Sequence, residues 1–291
     1  MSKIWTIKEI LNWTSDYFKE KEIDAPRLTA ELLLAKVLRQ NRLYLYTNFN
    51  QPLNKTELSS FKALIQRRIS GEPTAYITGE KEFWSLRFRV NKSVLIPRPE
   101  TEVLVEQVVN YIKVKDLKNT VNILDIGTGS GNIAVSLASE IKNAKLFALD
   151  KSFHAVITAK ENAKLNNCDE KIFFINGDTF YPFKMKRYFD IIVSNPPYIK
   201  SGDIKKLQKE VRNFEPLSAL DGGEDGLCFY EEILKKTKFF LKNRGKIFFE
   251  FGLSEQGNEI NKLMIENDFQ DIKIVEDYSG NPRVISGVVN L

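Results

Sequence analysis

The chain has 291 residues, 43% of them hydrophobic and 28% charged, which suits one large domain or a small domain joined to a medium one. Its 43 Lys and Arg against 38 Asp and Glu give +5, a bias that permits an acidic or nucleic-acid partner without demanding one. Two cysteines (Cys168, Cys228) and one histidine (His154) leave too few ligands for a zinc site or disulfide framework and argue against a Ser-His-Asp hydrolase.

The opening Met-Ser-Lys-Ile-Trp lacks the basic and apolar regions of a signal peptide. No stretch approaches the ~18 apolar residues of a membrane span, so a cytoplasmic, reduced location is expected. Lysine runs at 113–118, 205–209 and 235–238 are broken by apolar residues and read as solvated helix faces.

Residues 1 to about 71 read as a small helical bundle. Ile7, Ile10, Leu11, Thr14, Tyr17 and Phe18 share one face at helical spacing. Asp24 and Pro26 signal a second helix start, with Leu28, Leu32, Leu33, Val37 and Leu38 as its buried stripe. Asn54 followed by Glu57 resembles a capping box, ahead of Leu58, Phe61, Leu64, Ile65 and Ile69, and Gly71 stops that helix. Its apolar stripes are core, and no chemistry sits on them.

Residues 76–97 change character. Tyr76, Ile77, Phe83, Trp84, Leu86, Phe88, Val90, Val94, Leu95 and Ile96 predict a short hairpin turning near Asn91 and Lys92. It acts as a connector. Pro97 and Pro99 bracket Arg98 and open a helix from Glu100 to about Val114, with Val103, Leu104, Val108 and Val109 inward.

From Val121 strands and helices alternate. Strands are expected at 121–126, 145–150, 171–175, 189–194, 246–251, 271–276 and 284–290, with helices at about 130–141, 153–166, 224–242 and 254–267. The alternation implies right-handed crossovers and a parallel sheet covered on both faces. Asp277–Arg283 is too short for a crossover helix, so the last strand is expected to run antiparallel. The predicted fold is α/β, a Rossmann-like seven-stranded methyltransferase sheet preceded by the helical bundle. Residues 1–75 would form the helical unit, 76–97 the connector and 98–291 the catalytic domain.

Asn122-Ile-Leu-Asp-Ile-Gly-Thr-Gly-Ser-Gly131 runs from an apolar strand into a helix. Gly127 and Gly129 suit a tight turn with backbone close to a ligand, and Gly131 suits close helix–strand packing. Thr128 and Ser130 lie between them. The Gly-rich turn by itself leaves a dinucleotide and S-adenosylmethionine equally open. Asp125 at the strand end would repel a pyrophosphate but suits an ammonium and sulfonium, directly or through water. Asp150 ends the next strand and suits two ribose hydroxyls. Together with the next motif these favour S-adenosylmethionine. Asn176-Gly-Asp-Thr-Phe180 follows a third strand, where adenine would lie. Asp178 could accept from the adenine amino group and Thr179 and Phe180 could touch the ring; Asp178 as a mere turn residue is the alternative.

Ile191-Ile-Val-Ser-Asn-Pro-Pro-Tyr198 ends a buried strand with two prolines and an aromatic. Proline cannot continue a central ladder, so the chain leaves the sheet rigidly at Asn195. The Asn195 side-chain oxygen and the Pro196 carbonyl become two acceptors at the strand end. A carboxamide or exocyclic amine nitrogen is a poor nucleophile because its lone pair is delocalised. Two acceptors binding its hydrogens favour a pyramidal nitrogen and turn the lone pair toward a sulfonium methyl. Tyr198 would offer a flat face, and a structural Pro-Pro turn is the bland alternative.

These motifs resemble the release factor glutamine methyltransferase family, within the wider Asn-Pro-Pro-Tyr class of S-adenosylmethionine-dependent methyltransferases. The similarity extends through Gly71–Glu80, Phe83-Trp84, Leu95–Glu102, Asp125–Gly131, Asn195–Ile199, Phe214-Glu-Pro216, Asp221–Leu227, Glu250-Phe-Gly252 and Asp277–Val284. The resemblance implies cofactor binding at Gly127–Gly131, Asp150 and Asp178–Thr179, and acceptor binding at Asn195, Pro196, Pro197 and Tyr198. It places Arg98, Glu100 and Thr101 near both, and implies a release-factor glutamine in a Gly-Gly-Gln motif as acceptor.

The expected cofactor is S-adenosylmethionine, leaving S-adenosylhomocysteine, with no metal. A monomer with no membrane and no stable nucleic-acid partner is expected. Rival readings are an adenine amino-group methyltransferase on nucleic acid and a glutamine methyltransferase of a ribosomal protein. Base flipping by the first would call for a basic, aromatic recognition domain that residues 1–71 do not resemble. A cofactor-binding module without catalysis fails on the intact acceptor motif.

Overall fold

The computed structural model describes residues 4–115, 119–252 and 254–290, so positions 116–118 of the first lysine run lie outside the described residues. The chain divides into two units. One comprises the N-terminal segment to Glu80 with Gln208–Phe214; the other comprises Lys81–Leu207 and Glu215 onward.

The first unit contains α1 (Ile7–Glu20), α2 (Pro26–Leu38), α3 (Arg42–Thr47), α4 (Lys55–Ile69) and α5 (Thr74–Thr78), with a short helix at Lys209–Phe214. The Asn54–Glu57 capping box is present: Glu57 N donates to Asn54 Oδ1 at 2.9 Å and Asn54 N to Glu57 Oε2 at 2.8 Å. Gly71, at φ +99°, ends α4. Ile7, Ile10, Leu11, Phe18, Phe61 and Ile65 form the core, as the spacing predicts.

The stripe expected for α2 is rotated. Leu28 is exposed, whereas Ala30, Glu31, Leu33 and Leu34 are buried. Asp24 is not the cap of α2: Ala25 occupies that position in the left-handed region, and Pro26 is the first helical residue. The run Glu31-Leu-Leu-Leu-Ala35 has apolar residues on several faces, so periodicity could not choose one. The deciding residue is charged. Glu31 accepts from Arg27 Nε at 2.7 Å, from Arg42 Nη2 at 2.7 Å and from the Tyr46 hydroxyl. Burial favours its neutral form, but bonds from Tyr46, Arg42 and Arg27 outweigh that and hold the carboxyl below its ordinary range.

A hairpin of β1 (Glu80–Phe83) and β2 (Leu86–Arg89) follows α5 in the chain. Its turn is at Trp84-Ser85, both at positive φ (54° and 57°), the geometry of a two-residue type I′ turn. The expected turn at Asn91-Lys92 is a separate bend, in which Val94 N donates to Asn91 O, and Tyr76 and Ile77 belong to α5. After the hairpin come α6 (Thr101–Val114), β3 (Val121–Ile126), α7 (Asn132–Glu140), β4 (Ala144–Asp150), α8 (Phe153–Leu165), β5 (Ile172–Asn176) and β6 (Phe189–Ser194). Past the short helix already placed, counted α9, follow α10 (Cys228–Thr237), β7 (Leu241–Glu250), α11 (Ser254–Glu266), β8 (Phe269–Glu276) and β9 (Pro282–Val289).

The seven-stranded sheet has the order β5-β4-β3-β6-β7-β9-β8, and β9 alone runs against its neighbours. This is the predicted Rossmann-like sheet. The expected helix at 224–242 is shorter, because β7 begins at Leu241 and pairs with β6 through an irregularity before Lys246. Every residue of β3 is buried, as a central strand covered on both faces requires.

Replacing Glu31 by Ala should cost the first unit ~1.5–3 kcal/mol at neutral pH, through loss of charge-assisted bonds to a buried carboxylate. A lowered folded-state pKa makes this contribution complete above the ordinary carboxyl range and lost as pH falls through the folded value. Urea titrations should therefore show a deficit at pH 7 that shrinks in acid; an equal deficit at both pH values would assign the effect to packing.

Candidate active site at the carboxyl edge of the sheet

Strands β5, β4, β3 and β6 end along one edge, and the order reverses between β3 and β6. Ligands in open α/β sheets bind at this crevice. A cavity of about 780 Å³ lies here, lined by Arg98, Thr101, Gly127–Ser130, Asp150, Asp178, Thr179 and Asn195–Pro197 among others. The Gly-rich turn and the Asn-Pro-Pro corner, distant in sequence, meet because β3 and β6 pair in parallel with Ile126 opposite Ser194. Ser194 Oγ donates to Ile126 O at 2.7 Å and reinforces that register.

The turn after β3 is held by its backbone. Gly127 N and Thr128 N both donate to Leu149 O at 2.9 Å. Gly131, at φ +80°, lets α8 approach: a Cβ there would lie 2.9 Å from Ala159 Cβ. Asn162, fully buried on α8, was not singled out by sequence reasoning. Its Nδ2 donates to Ser130 O at 2.8 Å and Arg89 O at 3.0 Å, and its Oδ1 accepts from Arg89 N at 2.7 Å, tying loop and hairpin together.

Asp125 sits behind this turn rather than on the cavity wall. Its Oδ2 accepts from Thr128 Oγ1 at 2.6 Å, while Oδ1 has no hydrogen-bond partner among the described residues. Burial pushes the carboxyl up to about 7, against the Thr128 bond. Asp150 accepts from Gly129 N and Ser152 N, each at 2.8 Å, and burial raises it against those two bonds. Asp178 lies on the cavity wall, paired with Lys151 Nζ at 2.8 Å, while its carbonyl accepts from Tyr181 N in a turn. Thr179 lines the cavity at φ +40°, a strained state for a β-branched residue, with Oγ1 donating to Glu232 at 2.9 Å. Phe180 is not on the wall: its ring stacks on Phe240 at 4.5 Å in the core. A local motif could not reveal that burial.

Three carboxylates at successive strand ends, one with an orphan buried oxygen, suit a cationic nucleoside such as S-adenosylmethionine and oppose a pyrophosphate. The residues present therefore fit that cofactor.

At the end of β6, Asn195, Pro196 and Pro197 line the cavity. Asn195 Nδ2 donates to Thr101 Oγ1 at 3.2 Å, which turns Oδ1 the other way. Tyr198 does not line the cavity. Its ring packs on Gly252, where a Cβ would come within 2.6 Å, and burial pushes its hydroxyl up to about 12. Gln256 Nε2 donates to Tyr198 O at 3.1 Å and Gly226 O at 2.9 Å, clamping the corner. Arg98 lines the cavity and pairs with buried Glu215, whose other oxygen accepts from Ile96 N at 3.2 Å; Glu100 is not on the wall. Glu215 and Glu250 are further buried carboxylates that sequence reasoning did not assign; only their place in Phe-Glu-Pro and Glu-Phe-Gly segments hinted at them.

Two family profiles match the chain: PrmC N-terminal domain over residues 9–79 and Methyltransferase small domain over residues 100–212. The chain is 40% identical over 285 residues to the release factor glutamine methyltransferase of Geobacter sulfurreducens, covering 98% of this chain and 97% of that protein. It is 41% identical to the protein of the same name from Thermodesulfovibrio yellowstonii, covering 98% and 97%. A methyltransferase structure from Pyrococcus furiosus, 20% identical, covers 80% of this chain and all of its own with a TM-score of 0.51, a likeness of fold.

The Asp125 carboxyl, raised from 3.8 to about 7, lets the folded chain keep a proton that the unfolded chain releases, so ligand-free stability falls as pH rises between those values. Asp125→Asn should raise ligand-free stability at pH 8, by up to the order of 4 kcal/mol at about 1.4 kcal/mol per pH unit. The gain should shrink toward pH 4. Thermal unfolding at both pH values tests this; a variant less stable at pH 8 would contradict the burial cost.

Proposed function

The chain belongs to the release factor glutamine methyltransferase family, and from that premise we propose how its residues divide the work. It is an S-adenosylmethionine-dependent protein-glutamine N-methyltransferase, and the acceptor we assign is the side-chain amide of the Gly-Gly-Gln glutamine of a peptide chain release factor. The observation that carries this reading is the single cavity wall shared by Gly127–Ser130 and Asn195–Pro197.

S-adenosylmethionine supplies an electrophilic methyl on a cationic sulfur. Asp150 and the Gly127–Gly131 turn would hold the charged and ribose portions, with Asp125 bracing the turn from behind through Thr128. Asp178 and strained Thr179 would border the adenine, and Phe180 supports them from the core. Asn195 Oδ1 and Pro196 O accept the two amide hydrogens and localise the nitrogen lone pair. The methyl would pass from sulfur to this nitrogen, leaving neutral S-adenosylhomocysteine, and one N–H proton would then be lost to water. No strong base is needed before attack, and in-line positioning can supply ~7–11 kcal/mol of barrier reduction. Pro197 keeps the corner rigid, Tyr198 braces it against Gly252, and Arg98 and Thr101 shape the acceptor entrance.

Asn195→Ala should leave cofactor affinity near wild type and slow transfer ~100–1,000-fold, like loss of one preorganised hydrogen-bond group. Single-turnover methylation at saturating S-adenosylmethionine measures this, and a wild-type rate in the variant would refute the acceptor mechanism. A release factor whose Gly-Gly-Gln glutamine is replaced should remain unlabelled. Equal labelling would move the target elsewhere, to a ribosomal protein or an adenine.

We further assign substrate recognition to the first unit, with the enzyme acting as a cytoplasmic monomer. Leu43 on α3 is 69% exposed. Leu43→Glu should raise KM for intact release factor while leaving kcat and cofactor affinity unchanged. Steady-state kinetics with unaltered KM would remove α3 from the recognition surface.

A further inference from the structure

The segment 177–183, between β5 and β6, borders the end of the cavity where adenine would lie, and it is folded on itself. Gly177 N donates to Asp150 O, Tyr181 N to Asp178 O and Phe183 N to Phe180 O, each at 3.0 Å. A Cβ on Gly177 would collide with Pro182, so the turn closes as it does because that position is glycine. Within the turn Thr179 stands at φ +40°, a conformation that a β-branched residue leaves unless its surroundings hold it there.

The hold comes from α10. Thr179 is buried yet lines the cavity, and its Oγ1 donates to Glu232 Oε1 at 2.9 Å. The same oxygen accepts from Lys236 Nζ at 3.2 Å, one helical turn further on. Lys236 Nζ also sits 4.2 Å from the centre of the Tyr181 ring. Glu232 and Lys236 therefore grip the turn on both sides of Phe180, whose own ring is stacked on Phe240 in the core. Phe229 and Ile233 of the same helix line the cavity, whereas Glu232 is not on its wall.

We propose that Glu232 is a positioning residue for the adenine end of the cofactor site, clamping Thr179 in the left-handed conformation that shapes the cavity wall there. The bond selects that conformation before any ligand arrives. Released from it, Thr179 relaxes toward negative φ, and its side chain and the adjoining peptide planes take other directions. The competent wall is then one state among several, and apparent affinity falls in proportion to its population. A half-exposed i,i+4 ion pair adds little to stability, so a role confined to the Glu232–Lys236 pair predicts a different outcome.

The inference rests on the S-adenosylmethionine reading above and extends it to a residue outside the cavity. Glu232→Ala should weaken S-adenosylmethionine binding to the full-length enzyme about tenfold in calorimetry, the scale of one lost hydrogen bond to a charged group. Its melting temperature should stay near wild type. Single-turnover transfer at saturating cofactor should remain within about twofold of wild type, because the reacting end of the site is untouched. Glu232→Gln keeps an acceptor oxygen for Thr179 and loses the ion pair with Lys236, so it should retain most of the affinity. Glycine adopts positive φ unaided, so in a Thr179→Gly background Glu232→Ala should add less than about a twofold loss.

Wild-type affinity in Glu232→Ala would overturn the proposal. So would an equal loss with threonine or glycine at 179, which would mark a general support of α10, or a Glu232→Gln variant as weak as Glu232→Ala, which would assign the effect to the ion pair. A wild-type enzyme that binds no S-adenosylmethionine would instead remove the cofactor reading, and this inference with it.

Discussion

The parallel register of β3 against β6 is the constraint on which the site depends. With Ile126 opposite Ser194, the two strands release Gly127 and Asn195 side by side at the same edge. Neighbouring strands lie about 4.8 Å apart, so the Gly-rich loop and the Asn-Pro-Pro corner are held at molecular contact distance by ladder hydrogen bonds. A slip of one residue would send every side chain of one strand to the opposite face and separate the two motifs. Ile123 and Ile191 pack into one buried cluster and Leu124 and Ile192 into the other, so both faces of the strand pair are covered.

The same edge concentrates negative charge. Asp125, Asp150 and Glu250 end three strands, each raised by burial, and in two of them one oxygen lacks a partner. Glu215 adds a fourth buried carboxylate, matched to Arg98. Natural sequences discard such groups unless they serve a purpose, because desolvating a carboxylate costs several kcal/mol. Asp150 lines the cavity beside the Gly-rich turn, whereas Asp125 and Glu250 are buried behind its wall.

Glycine has a complementary part on the acceptor side. Gly252 gives its Cβ position to the Tyr198 ring, and Gln256 bonds the backbone on both sides of that contact. The aromatic of the Asn-Pro-Pro-Tyr motif therefore holds the corner from behind. A ring packed in this way rigidifies the Asn195–Pro196 corner in front of it, which an exposed aromatic would not do.

Much of this protein was legible in its sequence where the governing physics is local. The Asn54–Glu57 cap, the strands around Leu124 and Ile192, the Gly-rich turn and the Pro-Pro exit each depend on neighbours a few residues away. So did the reversed β9, because Asp277–Arg283 is too short to do anything else. The tertiary structure decided what long-range packing controls. It buried Glu31 where an apolar stripe was expected and moved the hairpin turn to Trp84-Ser85. It turned Phe180 into the core and Tyr198 toward Gly252, and made Glu215, Glu250 and Asn162 part of the site's framework. A buried glutamate has no local signature that distinguishes it from a solvated one. Its character comes from which strands pair beside it, and only the folded sheet specifies that.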